Sequence, residues 1–137
     1  MKVKLDDGAF VPTRAHDTDA GLDLYSPEFG VVGAGESLTI DTGVHMEIPK
    51  GYVDFVKSKS GLNVKNGITS EGVIDSGYTG SIVVKLYNHG YYSVRIDRGQ
   101  KISQLVLLPI ITPELEIVDS LEETERGDGG FGSTGKY

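Results

Sequence analysis

The stretch Ile82-Val83-Val84-Lys85-Leu86-Tyr87 decides the fold, because its apolar residues recur at every second position. In an extended strand, Ile82, Val84 and Leu86 would share one face, and Lys85 would lie on the other. The stretch Val44-His45-Met46-Glu47-Ile48 repeats the same alternation. This period of two is typical of β-strands that bury one face, so we expect a sheet protein.

Similar short runs occur elsewhere, separated by glycine-rich turns: Ser37–Asp41, Tyr52–Lys57, Lys101–Ile111 and Glu114–Val118. The run from Leu105 to Ile111 is apolar on both faces, which predicts a strand buried on both sides. No window carries a 3.6-residue stripe, and we expect only one helical turn, around Gly61–Asn66. Many short strands at this spacing predict an all-β protein, a jelly-roll-like β-barrel or sandwich.

The composition limits the classes of partner. With 137 residues the chain fits one domain, and without cysteine it has neither disulfides nor thiolate metal sites. A formal net charge of −7 argues against broad binding to nucleic acid, although a few cations and amides can hold a phosphorylated small ligand. No segment resembles a signal peptide or a membrane span, so we expect a cytoplasmic protein without a membrane partner.

The last dozen residues differ in character, because glycines surround a single Arg126 and a single Phe131. Such a segment buries too little apolar surface to order itself, while its glycines let backbone amides approach an anion. We therefore expect one β-barrel domain over residues 1–125 and a flexible glycine-rich C-terminal arm over residues 126–137.

Charged and hydroxyl side chains concentrate in five segments between the predicted strands: Ala20–Ser26, Ser58–Leu62, Gly72–Gly80, Arg98–Leu105 and the arm. In the third, we expect the Val73-Ile74 pair to be buried and to lead into Asp75 at a hairpin. Taken alone, an aspartate in a turn is more often a structural residue than a base.

Together and in this order, the five segments resemble the motifs of the trimeric deoxyuridine triphosphate nucleotidohydrolase (dUTPase) family, over almost the whole chain. The resemblance implies hydrolysis of dUTP to dUMP and pyrophosphate, which keeps uracil out of DNA and supplies dUMP for thymidylate synthesis. It further implies Mg²⁺ on the phosphates and a homotrimer with shared active sites.

The resemblance also implies roles for single residues. Asp75 would take the proton of the water that attacks the α-phosphorus. Tyr78 would pack beneath the deoxyribose, and backbone groups of the hairpin around Gly72 and Ile74 would pair with the uracil edge. Asp23 would act on the Mg²⁺ indirectly, through water, or would orient neighbouring site groups.

The phosphates would be bound by two further sets of residues that the resemblance implies. One set comes from the second and fourth motifs: Lys59, Ser60, Gly61 and Gln104. The other belongs to the arm, which would close over the active site: Arg126 on the γ-phosphate, Phe131 over the uracil, and Gly132, Ser133 and Thr134 beside them.

Some positions depart from the family pattern, and two rival functions remain. Lys59 stands where the family usually has the arginine of Pro-Arg-Ser-Gly. Several relatives carry an asparagine that contacts uracil, and its equivalent here is either Thr69 or no residue at all. A dCTP deaminase of related fold would need a glutamate where this chain has Lys85, and an ammonium cannot shuttle protons there. A nucleotide-gated protein-binding module is the other alternative.

Overall fold

The computed structural model describes residues 1–137 and contains eleven strands and one helix. The elements are β1 (Val3–Leu5), β2 (Gly21–Tyr25), β3 (Gly30–Val32), β4 (Ser37–Asp41), β5 (Val44–Met46), β6 (Tyr52–Ser58), α1 (Ser60–Asn66), β7 (Ile68–Thr69), β8 (Glu71–Asp75), β9 (Val83–Asn88), β10 (Val94–Ile96) and β11 (Lys101–Pro109).

All strand pairs are antiparallel, and they form four open sheets. The largest has the order β2-β11-β6-β8, and a three-stranded sheet has the order β4-β9-β7. Two small sheets pair β1 with β5 and β3 with β10. The predicted all-β, jelly-roll-like architecture is confirmed, in the form of sandwich-like sheets rather than a closed barrel.

The core follows the alternation seen in the sequence. Ile82, Val84 and Leu86 are buried, while Lys85 and Tyr87 of β9 face solvent. The three buried residues belong to one cluster of fifteen buried apolar residues, and both larger sheets contribute residues to this cluster. Each such side chain contributes roughly 1.5–3 kcal/mol by leaving water, so this cluster fixes the strands that carry the polar segments.

Two sequence-based expectations about apolar runs are wrong. Leu105 is buried, but Leu108, Ile110 and Ile111 are exposed, because no element of this chain covers the outer face of β11. No strand forms over Glu114–Val118, where Leu115 and Ile117 are 94% and 98% exposed. An alternating pattern shows which side chains suit a strand, but a strand also needs a neighbouring edge to pair with.

The expected helical turn is present as α1, which begins directly after β6. It ends at Gly67, whose left-handed conformation (φ 70°) lets its amide donate to the carbonyl of Asn63 at 2.8 Å. A Cβ at Gly67 would also lie 3.0 Å from the amide nitrogen of Gly90. Lys59 is the single extended residue between β6 and the helix, and its carbonyl accepts the Asn63 amide at 2.9 Å, which ties it to the first turn of α1.

Asp54 on β6 is an isolated acid in the core. It lies between Ile74 of β8 and Leu107 of β11, is 0% exposed, and neither carboxylate oxygen has a hydrogen-bond partner. Burial raises the pKa of Asp54 to about 6 from its ordinary value of 3.8. The folded protein therefore binds a proton that the unfolded chain has already lost between these pH values, and stability falls as the pH rises through this range.

Asp54→Asn should therefore stabilise the protein above pH 6 and leave its stability almost unchanged below pH 4. The amide imitates the protonated acid and never ionises, so the gain at neutral pH approaches about 3 kcal/mol. Thermal unfolding of both proteins as a function of pH measures the effect. Asp17→Asn, at an exposed aspartate, is the matched control. An equal gain at acidic and neutral pH would contradict the assignment.

Candidate active site

One end of the four-stranded sheet collects the charges of three motifs. Gln104 on β11 pairs in register with Asp23 on β2 and with Lys57 on β6. Lys59 follows the end of β6, and Lys101 begins β11. We call Asp23, Lys59, Lys101 and Gln104 the lysine cluster. Antiparallel pairing alone brings together these side chains from widely separated parts of the chain.

The carboxylate of Asp23 bridges the two lysines of the cluster. Asp23 is only 5% exposed; its Oδ1 accepts a hydrogen bond from Lys59 Nζ at 2.5 Å, and its Oδ2 accepts one from Lys101 Nζ at 2.7 Å. Burial opposes the charged form, but the hydrogen bonds from Lys101 and Lys59 hold the pKa of Asp23 below its ordinary value. Two cations and one anion leave a net positive charge, which suits an anionic ligand.

The side chain of Gln104 is held in place by a glycine and a backbone carbonyl. Its Nε2 donates to the carbonyl oxygen of Ser58 at 3.0 Å. A Cβ at Gly21 would overlap Gln104 Oε1 and lie 3.1 Å from Gln104 Cβ, so only glycine leaves room for this side chain. Sequence reasoning gave no role to Gly21 or Lys101, although both lie within recognised motifs.

Three serines next to the lysine cluster, Ser58, Ser70 and Ser103, are joined by hydrogen bonds. The hydroxyl of Ser58 donates to the Ser70 carbonyl at 3.1 Å and accepts from the Ser70 amide at 2.9 Å. The Ser70 and Ser103 hydroxyls lie 2.8 Å apart, and Ser103 donates to the carbonyl of Lys57 at 2.7 Å. These bonds fix the end of β6 against the neighbouring strands. Sequence reasoning missed them, because isolated serines carry no periodic signal.

Ser60 and Gly61 are the first two residues of α1, next to Lys59. Ser60 is exposed, and no atom lies within 4 Å of the position that a Cβ of Gly61 would take. The first turn of a helix leaves backbone amides without intrahelical partners. This surface can therefore offer both a hydroxyl and amide donors to a ligand held by the lysine cluster.

Asp75 and Tyr78 lie at the far end of the same sheet. Asp75, the last residue of β8, pairs with Val53, whereas Glu71 at the start of β8 pairs with Lys57. Four residues along β6 separate the two pairs, which corresponds to roughly 13 Å. Within one chain, the structure therefore brings Asp23, Lys59 and Gln104 together but does not bring Asp75 to them.

Asp75 is exposed, and its carboxylate makes no hydrogen bond. Its carbonyl accepts the Tyr78 amide at 3.0 Å, which closes the turn between them. The Tyr78 ring lies over Gly80, where a Cβ would be 2.5 Å from the phenol oxygen, and the Tyr78 hydroxyl donates to the Ser81 carbonyl at 2.8 Å. The Asp75 carboxylate is thus unpaired and open to solvent, and the half-exposed Tyr78 ring follows it three residues later in the chain.

The strand before Asp75 differs from the expected hairpin. β7 pairs with β9 and β8 pairs with β6, so the chain changes sheets at Ser70 instead of folding back on itself. Ile74 is buried but Val73 is exposed, which corrects the expectation of a buried pair. Because β8 is the edge strand of its sheet, those of its backbone groups that point away from β6 have no partner strand.

The C-terminal segment does not reach either group of residues. Beyond Ile110, whose amide donates to Gly51 at 2.9 Å, every hydrogen bond joins the segment to itself. Arg126 Nε donates to the Gly129 carbonyl at 2.9 Å, and Phe131 is fully exposed with a positive φ of 51°. Gly132, Ser133 and Thr134 are likewise exposed and remain apart from the lysine cluster.

The carboxylates of this chain do not form a cage for a cation, because no group of three or more metal-binding side chains converges. Asp23 is the acid of the lysine cluster, and each of its oxygens keeps a free lone pair beside its lysine bond. A Mg²⁺ held mainly by substrate phosphates would therefore leave Asp23 to act on it only through water.

Replacing Lys59 should show how far the lysine cluster depends on its bridging charges. Lys59→Ala leaves the buried Asp23 carboxylate with Lys101 as its sole partner, and we expect a loss of about 1–3 kcal/mol in unfolding free energy. The loss should disappear in acid as Asp23 becomes protonated, because its contribution exists only above the folded-state pKa. Lys59→Arg is the matched control and should retain most of the stability, and an unchanged alanine variant would contradict the bridge.

No helix of the chain is both long enough and apolar enough to cross a bilayer. The fold and the site together define a class: a small antiparallel β-protein with a cationic cluster at one sheet end and an unpaired aspartate at the other.

Comparison with known proteins agrees with this class. The dUTPase family profile matches residues 7–135. The deoxyuridine 5'-triphosphate nucleotidohydrolase of Clostridium acetobutylicum is 45% identical over 135 residues, covering 96% of this chain and 93% of that protein. The chain therefore belongs to the dUTPase family.

Solved structures show the same relationship. The dUTPase of Staphylococcus bacteriophage 80alpha with dUPNHPP superimposes with a TM-score of 0.93, at 36% identity and 98% coverage of both chains. A mutant dUTPase from phage phi11 of S. aureus, described with a structural Mg(II) ion, gives a TM-score of 0.83 at 33% identity, covering 89% of this chain and 98% of that one.

Proposed function

We propose that this chain hydrolyses dUTP to dUMP and pyrophosphate, with Mg²⁺ on the phosphates and with active sites shared among three subunits. The observation that carries the proposal is the free, exposed carboxylate of Asp75 at the end of an edge strand, on a fold that also presents a cationic cluster. Such a reaction removes dUTP from the precursors of DNA and supplies dUMP for thymidylate synthesis.

The proposed chemistry at Asp75 is general-base catalysis. Asp75 holds a water and accepts its proton while the water oxygen bonds to the α-phosphorus. The bond from that phosphorus to the α–β bridging oxygen breaks, and pyrophosphate leaves. Bound Mg²⁺ supplies neutralisation of the phosphate charge. An aspartate without hydrogen-bond partners of its own is available for this proton.

Base and sugar selection are assigned to β8 and the turn after it. The outward backbone groups around Gly72 and Ile74 can pair with the uracil edge as a neighbouring strand would. The Tyr78 ring, held over Gly80, offers a flat apolar surface to the deoxyribose. A close fit there leaves no space for a ribose 2′-hydroxyl.

Phosphate binding is assigned to the lysine cluster and the arm. Lys59, Ser60, Gly61 and Gln104 lie side by side at one end of the sheet. We further propose that residues 1–125 form one domain and that the arm, residues 126–137, closes over the active site. In the closed state Arg126 would pair with the γ-phosphate, Phe131 would stack over the uracil, and Gly132, Ser133 and Thr134 would contact the phosphates.

Two observations support sites shared among subunits. Asp75 lies roughly 13 Å along the sheet from the level of Lys57, and Lys59 is two residues further on, too far for Asp75 and Lys59 to serve adjacent phosphates of one nucleotide. The outward faces of β8 and β11 also expose Val73 and Leu108, as a surface that packs against another subunit would. A closed three-fold ring would place one subunit's Asp75 beside the next subunit's lysine cluster.

Mixing two inactive chains tests this arrangement. Chains ending at Glu125 and full-length Asp75→Asn chains should each be nearly inactive alone. If a site takes Asp75 and the arm from different subunits, mixed trimers made by refolding the two chains together should regain a measurable fraction of wild-type turnover. The control is a mixture in which every chain carries both changes. No recovery in mixtures that light scattering shows to be trimers would contradict sharing of these two elements.

A pyrophosphate-release assay with dUTP, dTTP, dCTP and UTP, with and without Mg²⁺, tests the reaction itself. We expect Mg²⁺-dependent cleavage of dUTP alone at appreciable rate. Release of ammonia from dCTP would support the deaminase instead. The structure argues against that alternative, because Lys85 points outward from β9 with its ammonium 5.3 Å from the Tyr87 ring centre.

A further inference from the structure

His45 joins the turn after Asp75 to the N-terminal strand. Its Nδ1 lies 2.8 Å from the carbonyl oxygen of Thr79, and its Nε2 lies 3.0 Å from Oδ2 of Asp6. The pairing of β1 with β5 places Lys4 opposite His45, so Asp6, just beyond β1, comes within reach of the ring. The imidazole is 19% exposed, which lets it exchange protons with solvent.

Both partners of His45 are hydrogen-bond acceptors. A backbone carbonyl has no proton to give, and the hydrogen bond from His45 holds the pKa of Asp6 below its ordinary value, so Asp6 is ionised near neutral pH. Each ring nitrogen must therefore donate, and only the imidazolium form carries a proton on both nitrogens. When His45 loses its second proton, one of the two contacts loses its donor.

The contact with Thr79 is the anchor of the loop between Tyr78 and Ser81. On the N-terminal side of Thr79, the Tyr78 amide donates to the Asp75 carbonyl. On the C-terminal side, the Ile82 amide donates to the Val44 carbonyl at 2.8 Å. The Ser81 hydroxyl bonds to Asp41, and the Tyr78 hydroxyl bonds to the Ser81 carbonyl within the loop itself. The Tyr78 ring is thus placed by a loop whose middle is tied to the body by His45.

We propose that His45 is a positioning residue for the nucleotide site: as an imidazolium bound to Asp6 and to the Thr79 carbonyl, it fixes the loop that presents Tyr78. The inference rests on the proposed role of Tyr78 beneath the deoxyribose. KM for dUTP should then be lowest where His45 is protonated and should rise as the pH increases through the pKa of His45. Turnover at saturation depends on Asp75 and should change less.

The charges around His45 set the pH at which this change occurs. The hydrogen bonds to Asp6 and to the Thr79 carbonyl hold the pKa of His45 above its ordinary value, and the Lys4 ammonium, 3.7 Å from Asp6, acts in the opposite direction. On the same surface Lys2 pairs with Glu47 at 2.9 Å. On the loop side, the charged group is Asp41, bonded to the Ser81 hydroxyl.

Steady-state kinetics with dUTP from about pH 6 to pH 9 tests the proposal. In the wild-type protein KM should rise about 5- to 10-fold across the transition, which is the size of effect expected for one lost hydrogen bond. His45→Gln should have a raised KM already at pH 6, and its KM should not change with pH, because the glutamine amide neither gains nor loses a proton in this range. Asp6→Asn should move the transition to lower pH. His16→Gln, the same change at an exposed histidine, should match the wild type.

A second measurement separates this inference from the proposed function. Without nucleotide, the amide resonances of Tyr78 and Gly80 should shift with pH in the wild type and in Asp6→Asn, but not in His45→Gln. If these shifts occur while dUTP is not cleaved, the proposed function is wrong and the loop contact stands. The inference is wrong if dUTP is cleaved and the KM transition persists in His45→Gln. It is also wrong if the pH-dependent shifts of the Tyr78 and Gly80 amides are the same with and without His45.

Discussion

Asp75→Asn should lower the turnover of dUTP by about 10²- to 10⁴-fold, the usual cost of losing a general base. The side chain is exposed and makes no hydrogen bond in the structure, so the amide should fit without disturbing β8 or the turn to Tyr78. Binding of a non-hydrolysable analogue should change little, because the carboxylate acts on water. Single-turnover kinetics and calorimetric titration measure the two quantities separately.

Asp7→Asn provides a matched control at another exposed aspartate without hydrogen bonds, and it should keep wild-type turnover. Near-normal turnover in Asp75→Asn would mean that Asp75 only terminates the strand. Loss of analogue binding together with turnover would instead assign it a role in holding the substrate.

Removal of the arm after Glu125 should separate activity from stability. All hydrogen bonds beyond Ile110 stay within the C-terminal segment, so the melting temperature should change by no more than a few degrees. Turnover should fall by about 10²- to 10³-fold, as when preorganised donors are removed from a developing charge. Differential scanning calorimetry and the pyrophosphate-release assay measure the two effects.

A chain that ends at Gly135 is the control for the truncation, because it keeps Arg126, Phe131, Ser133 and Thr134 and should be fully active. The single variants Arg126→Ala and Phe131→Ala should show how much of the lost turnover comes from contacts with the phosphate and how much from contacts with the base. Wild-type activity in the chain ending at Glu125 would make the arm an ordinary terminus.

The sequence predicted the body of the fold because its core strands have one clean buried face. Ile82, Val84 and Leu86 are buried as expected, and β4 has the predicted bounds of Ser37–Asp41. The alternating pattern gave wrong predictions where burial depends on a neighbouring element that covers the strand or pairs with it. The outer face of β11 is uncovered, and Glu114–Val118 finds no edge to pair with.

The candidate site was predicted through ordered motifs, whereas its internal geometry could not be. The bridge from Lys59 through Asp23 to Lys101 depends on three strands meeting in one register, which no local pattern encodes. Likewise, the motif around Gly72 gave no sign that β8 leaves the sheet of β7. The order of the motifs indicated which residues belong to one site, but not that Asp75 lies far from Lys59 in one subunit.

The place of β11 between β2 and β6 also determines when the protein can fold during synthesis. β11 forms two of the three ladders of the largest sheet, yet it is synthesised after the other ten strands. Until then the edge of β2 that pairs with β11 remains open, because its partner lies about eighty residues away in sequence. Pairing over such a distance slows folding and exposes nascent chains to aggregation. The newborn chain therefore assembles the lysine cluster in a late and cooperative step.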